Sequence, residues 1–225
     1  LQHLQRLRWF YGRVDGHVLR RLARHQRLEH LLLFQFEVGD DFLPSLEKLS
    51  KLTDLALHPA DDAALKGLVT HLQRMPNLRT WPRLRGVDEN SLRRVTACKH
   101  IESLTLEYTS EDVTPELLEQ VGGMKSLRRL DLRGLPVDDA WLACLAGLEH
   151  LEYFNLFDTG VTGSGFEALK NLPRLSEIHI WLGNFNGVWL RPDLSSFSSL
   201  PALEIVQIGG NAFGTDDIEP LRKSM

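Results

Sequence analysis

The chain has 225 residues, 43% hydrophobic and 25% charged, an ordinary composition for a folded protein with a sizeable core. Its net charge of −4 creates no global field for nucleic acid, although residues 1–27 carry seven Arg and one acid, Asp15, a local +6 against −10 in the remainder. No apolar run approaches membrane-spanning length and no signal-peptide pattern opens the chain, so no membrane insertion is expected. Cys98 and Cys144 match neither a metal spacing nor the framework of a small secreted domain.

Along the chain one pattern recurs. Units begin at Leu4, Leu28, Leu52, Leu78, Ile101, Leu127, Leu151, Leu175 and Leu203, at spacings of 24, 24, 26, 23, 26, 24, 24 and 28. Each opens with the alternation of a strand and closes with apolar residues three apart, as in Leu43/Leu46/Leu49, the spacing of a short helix. In the first unit, Arg20, Arg21, Arg24 and Arg27 read as the solvated side of its helix. In the fourth, Pro82 follows Trp81 where the strand should run; proline has no N–H for a ladder, so a perturbed sheet is expected there. In the fifth, Val113-Thr114-Pro115 supplies a capping hydroxyl ahead of a first-turn proline, before Leu118/Val121/Met124. The sixth and seventh superimpose after a shift of 24: Leu127, Leu130, Leu132, Val137, Leu142, Leu145, Leu148 onto Leu151, Phe154, Leu156, Val161, Phe166, Leu169, Leu172. Asp138, Asp139 and Thr162 follow the central Val as caps. The eighth is four residues longer than its neighbours, with the excess between Leu182 and Pro192, a Gly/Asn-rich loop carrying Phe185 and Trp189. The chain starts inside this pattern and stops soon after Leu221, so an uncapped apolar end, open to self-association or covered by a longer chain, is expected.

No unit can bury its apolar side alone; stacking them makes one continuous core. The register, held over about seven positions per unit, resembles the leucine-rich-repeat family, and the 24-residue length with a helical second half resembles its ribonuclease-inhibitor-like and cysteine-containing classes. At the ninth position, where those classes favour Asn, Cys or Thr, Thr109, Thr159 and Asn211 agree, whereas Phe36, Ala60, Gly86, Leu135 and Gly183 depart. The resemblance implies an α/β fold, a right-handed solenoid of about nine repeats spanning residues 1–225 as one domain. A parallel sheet would line its concave face and helices its convex face. The function implied is recognition of a protein or peptide partner.

Catalytic motifs do not emerge. Val121-Gly122-Gly123-Met124-Lys125-Ser126 lacks phosphate-loop spacing, and Gly163-Ser164-Gly165 reads as a turn and cap. Cys98 falls on a core position, and Cys98-x-His100 is too little for zinc. Neither enzymatic activity nor a cofactor is expected. Strand alternation instead projects two rows from the sheet. The residues between the last two leucines are Arg8, Leu32, Ala56, Pro82, Thr105, Asp131, Asn155, His179 and Gln207; those following are Phe10, Phe34, His58, Leu84, Glu107, Arg133, Phe157, Trp181 and Gly209. Exposed aromatics beside charge are typical interface anchors. Glu107, Asp131, Arg133, Asn155, Phe157, His179 and Trp181, with Phe185 and Trp189 on the adjoining loop, are therefore the candidate binding site. A small-molecule or carbohydrate sensor stacking on Phe157, His179 and Trp181, and a regulatory domain of a larger protein, are the alternatives.

Overall fold

Alternation within each Leu-x-x-Leu-x-Leu segment turns its leucines to one side, and the structure lays these segments down as parallel strands. The structure, a computed structural model, describes residues 3–25, 27–59, 67–82, 84–85, 89–107, 114–182, 184–185, 188–189 and 193–210, with the side chains of residues 59, 84–85, 89–92, 117, 182, 184–185 and 188–189 outside that set. Ala60, Gly86, Thr109, Val113, Gly183, Asn211 and Leu221 lie outside the described residues. The chain forms two compact units, Leu1–Arg85 with His100–Leu104, and Gly86–Lys99 with Thr105–Met225.

In the first unit, β1 (Arg6–Val14), β2 (His30–Val38) and β3 (Asp54–Pro59) form a parallel sheet in chain order, with α1 (Gly16–Leu22), α2 (Phe42–Leu46) and α3 (Leu68–Leu72) in the returns. Leu31 pairs with Leu7 and with Leu55, so the 24-residue spacing is the strand register itself. The sheet stops after β3, and Pro82 explains why. The N–H groups of Arg79 and Thr80 both donate to the carbonyl of Thr53, at 2.7 and 3.2 Å. The next donor along that edge would be residue 82, and proline has none. What remains is an isolated bridge between Thr80 and Ser103 and the two-residue β4 (Leu84–Arg85). Pro82, which strict alternation would turn outward, is buried, because no ladder holds the pleat there.

The second unit holds α4 (Glu89–Thr96), the last three residues of β5 (Ser103–Glu107), α5 (Pro115–Gly122), β6 (Arg129–Arg133), β7 (Tyr153–Phe157), β8 (Glu177–Leu182), β9 (Asn184–Phe185), β10 (Val188–Trp189) and β11 (Ile205–Gly210). The strands β6, β7, β8 and β11 are parallel neighbours in that order. Leu130 pairs with Phe154 and Phe154 with Ile178, again at 24, whereas Ile178 pairs with Val206 at 28. The four extra residues leave the register intact and emerge as the antiparallel pair β9–β10. Leu130, Leu132, Leu142, Leu145, Phe154, Leu156, Phe166, Leu169, Ile178 and Ile180 are all sealed from solvent, as the leucine register requires.

The returns are short helices of two kinds. Pro115 does open an α-helix, but Asp139–Leu145, Ser164–Leu169 and Ser195–Ser199 are 3-10 helices. A turn of three residues stacks apolar residues three apart, such as Phe166 and Leu169, on one face, although α5 carries the same spacing in Leu118 and Val121. The departures at the ninth position have a similar logic: Phe36 and Leu135 point inward and are buried like Thr159, and Phe36 packs on Phe42 with ring centroids 5.4 Å apart. Just after the outward Phe10, Phe34, Arg133 and Phe157 lie left-handed turn residues: Tyr11, Gln35, Gly134 and Asp158, with φ of 59°, 49°, 60° and 53°.

Caps tie one return to the next. Asp138 caps its own helix, accepting from the Ala140 N–H at 2.9 Å. Thr162 does not cap the following one. Its hydroxyl donates to Asp139 Oδ2 at 2.6 Å, its N–H lies 3.2 Å from both carboxylate oxygens, and the N–H groups of Gly163 and Gly165 donate to Oδ1 at 3.1 and 3.0 Å. Gly165 permits this: a Cβ there would stand 2.3 Å from the Asp139 carbonyl oxygen. Burial raises the Asp139 pKa, but the hydrogen bonds from Thr162, Gly165 and Gly163 outweigh it and hold the group below its ordinary 3.8.

Two outcomes follow for stability. Leu156→Ala should cost roughly 2–5 kcal/mol in denaturant unfolding, as core leucine truncations do. Asp139→Asn should cost about 2–3 kcal/mol by leaving buried donors badly matched. Because the folded pKa of Asp139 is depressed, its ionised form stabilises the fold above pH 3.8 and that contribution disappears as pH falls through the folded value. Unfolding curves of the Asn variant should therefore show a shallower acid limb than those of the parent.

Candidate functional site

In the second unit the helical returns pack on one side of the sheet, and the side chains of β6, β7 and β8 on the other side form three rows. Strand pairing aligns Arg129, Tyr153 and Glu177 in the first, Asp131, Asn155 and His179 in the second, and Arg133, Phe157 and Trp181 in the third. The sequence reading took the second and third rows and missed the first. The signal was available, since a period of two carries the alternation one step upstream of Asp131 to Arg129.

The middle row is a hydrogen-bonded floor. Arg133 grips Asp131 through two bonds, Nε to Oδ1 at 2.8 Å and a terminal nitrogen to Oδ2 at 2.6 Å. The Asn155 Nδ2 donates to the same Oδ1 at 2.7 Å. The bond to Asp131, seconded by its charge, raises the Arg133 pKa against desolvation, and Glu107 adds to the effect. Beside this group, His179 bridges two rows, with Nε2 2.7 Å from Glu177 Oε1 and Nδ1 3.2 Å from the Tyr153 hydroxyl. A carboxylate only accepts, so Nε2 donates to Glu177. The chain Tyr153–His179–Glu177 has the connectivity of a relay, yet burial, with Asp131 second, pushes the Tyr153 hydroxyl up, the reverse of what activates a nucleophile. Among the described residues, no group of three or more His, Cys, Asp or Glu is placed to hold a metal.

Two expected contact residues are covered instead. Glu107 is 2% exposed and Asn155 is 4% exposed. Alternation fixes the side a residue faces, not whether its neighbours overhang it. Asn155 lies between the larger Tyr153 and Phe157, two residues away along the same face, and Glu107 is close enough to Arg133 to act on its charge. Both belong to the floor. Phe157 and Trp181 do stand out, 37% and 40% exposed, with ring centroids 6.1 Å apart, and the Arg133 guanidinium lies 5.9 Å from the Phe157 ring. In the first row the exposed Arg129 guanidinium sits 3.9 Å over the Tyr153 ring, whose centroid is 4.9 Å from that of His179. Phe185 and Trp189 lie on the β9–β10 pair, their side chains outside the described set.

The first unit carries an aromatic run of its own, Phe10, Phe34 and His58, with centroids 5.9 and 5.5 Å apart. It also has a cleft of 440 Å³ lined by Trp9, His17, Val18, Arg21, Leu22, Arg24 and His25. None of the candidate contact residues lines that cleft. The clustered arginines are exposed, and Arg20 bonds to Ser45 at 3.0 Å.

The indole of Trp181 depends on a neighbour that has no side chain. Gly209 pairs with it across β8 and β11, and a Cβ at Gly209 would meet two ring carbons at 2.4 Å. Gly209→Val should therefore displace the indole, read as a shift of the Trp181 indole N–H resonance, with a stability change under about 1 kcal/mol, as for surface substitutions.

No sequence-family model and no curated protein matches the chain. Solved structures do. Over 97% of this chain and 71% of the other, it is similar to an internalin (InlF) from Listeria monocytogenes, with a TM-score of 0.58 at 15% identity. It is also similar to PEPR1, solved with AtPEP1, at a TM-score of 0.50 and 17% identity over 96% of this chain and 29% of that one. The chain thus spans most of the internalin and less than a third of PEPR1. Parallel strands at a 24-residue register, leucines sealed on the side where the short helical returns pack, and this likeness together identify the chain as having the leucine-rich-repeat fold.

Proposed function

We propose that this chain is a non-enzymatic binding scaffold, and that the open face of its second unit grips a protein or peptide. One observation carries the reading: Phe157 and Trp181 stand side by side in solvent above a floor in which Arg133, Asp131 and Asn155, and His179 with Glu177, are hydrogen-bonded, with only Asn155 Oδ1 buried and unpaired. Leaving two adjacent large aromatics wet is unfavourable, and covering them releases water from both. The floor is held rigid by Asp131, Arg133, Asn155 and His179, so little ordering is required on binding. PEPR1, of similar fold, was solved with AtPEP1, which agrees with a binding role for this fold.

The reading is tested by placing a photo-crosslinking phenylalanine analogue at position 157 and, as a control, at the exposed Glu167 on the opposite side. A discrete partner should crosslink from position 157 and not from 167. The Phe157→Ala, Trp181→Ala double variant should lose more than about 2 kcal/mol of affinity for it with its melting temperature nearly unchanged. A variant that melts early while binding is preserved would make the two aromatics structural and move the site elsewhere.

A further inference from the structure

The chemistry of the partner is written in what this face leaves unused. Its carboxylates are engaged: Asp131 by Arg133 and Asn155, and Glu177 by His179. Its aromatic rim, Phe157 and Trp181, is open. Arg129 is different from every other charge in the three rows. It is exposed, and no carboxylate of the described residues lies within ion-pair range of it. The Tyr153 ring lies 3.9 Å below the guanidinium. Stacking of that kind restrains a long side chain while leaving its N–H edges free to donate.

Resting on the open-face reading above, we propose that the partner is an extended peptide segment with an acidic residue placed on Arg129 and a large apolar residue placed on the Phe157–Trp181 pair. Charge complementarity selects the first contact and apolar burial the second. The fold sets their separation. Trp181 lies two strands across and four residues along from Arg129, which is about 16 Å on the usual strand spacings, or roughly five residues of extended chain. The acidic and apolar residues are therefore four to five positions apart. The floor between them leaves one buried acceptor unpaired, Asn155 Oδ1, and otherwise asks little of the intervening residues.

The experiment uses the whole folded chain against displayed random twelve-residue peptides. Enriched sequences are then synthesised and titrated by fluorescence anisotropy against the parent, Arg129→Gln, Arg129→Lys and Trp181→Ala, with thermal melts of each. The enriched peptides should share Asp or Glu four or five positions from Phe, Trp or Leu. Arg129→Gln should weaken them roughly tenfold, the value of one charge-assisted contact, and Arg129→Lys by less. Replacing the peptide's acid with its amide should weaken binding to the parent and remove the difference between parent and Arg129→Gln. Peptides that are lost on Trp181→Ala but carry no acidic preference and ignore Arg129→Gln would overturn this inference and leave the open-face reading standing. Peptides insensitive to both substitutions, or no enrichment, would overturn both.

Discussion

A single repeat here cannot close its own core. Each strand presents its leucines to one side, and those leucines are sealed only when the next repeat lies beside them at the same height. Everything else follows from that translation. The shift of 24 becomes the strand register, Leu130 against Phe154 against Ile178. The register aligns the outward residues into rows, so the open face is a by-product of burying the opposite one. An excess of four residues cannot enter the stack without breaking alignment, and it is put out as the β9–β10 pair.

The stack is pinned along its return side by polar detail as well as by sealed apolar residues. Asp139 gathers four donors from the next repeat, and it can reach them because Gly165 lets two backbones close to a distance no Cβ would allow. Where such detail fails, the sheet fails with it. Pro82 removes one N–H from one edge, and the parallel ladder that β1, β2 and β3 build ends there.

How far the sequence could be read varies with the physics involved. Burial of Leu142 or Phe166 follows from periodicity alone, because the solvent contrast between the two sides is large and regular. The break at Pro82 follows from one missing donor. Helix type was harder: three-residue spacing was compatible with a short α-helix, and only the tight turn of Ser164–Leu169 decides for 3-10. In the site, direction was legible and exposure was not. Phe157 and Trp181 face out and remain open, whereas Asn155 faces out and is covered, with Tyr153 and Phe157 as its same-face neighbours on the strand, which a row-by-row reading does not weigh. The role of Thr162 was misplaced for a like reason. Its partner, Asp139, lies 23 residues away, beyond the local window in which caps are sought.

Gly209 has a consequence of another kind. It makes room for Trp181 by lacking a side chain, one repeat away from the ring it serves. The shape of the surface is thus partly encoded at a position that need never touch whatever docks there. Drift at such a position could retune recognition while every contacting residue stays the same, so comparing contact residues alone between related chains would miss the change.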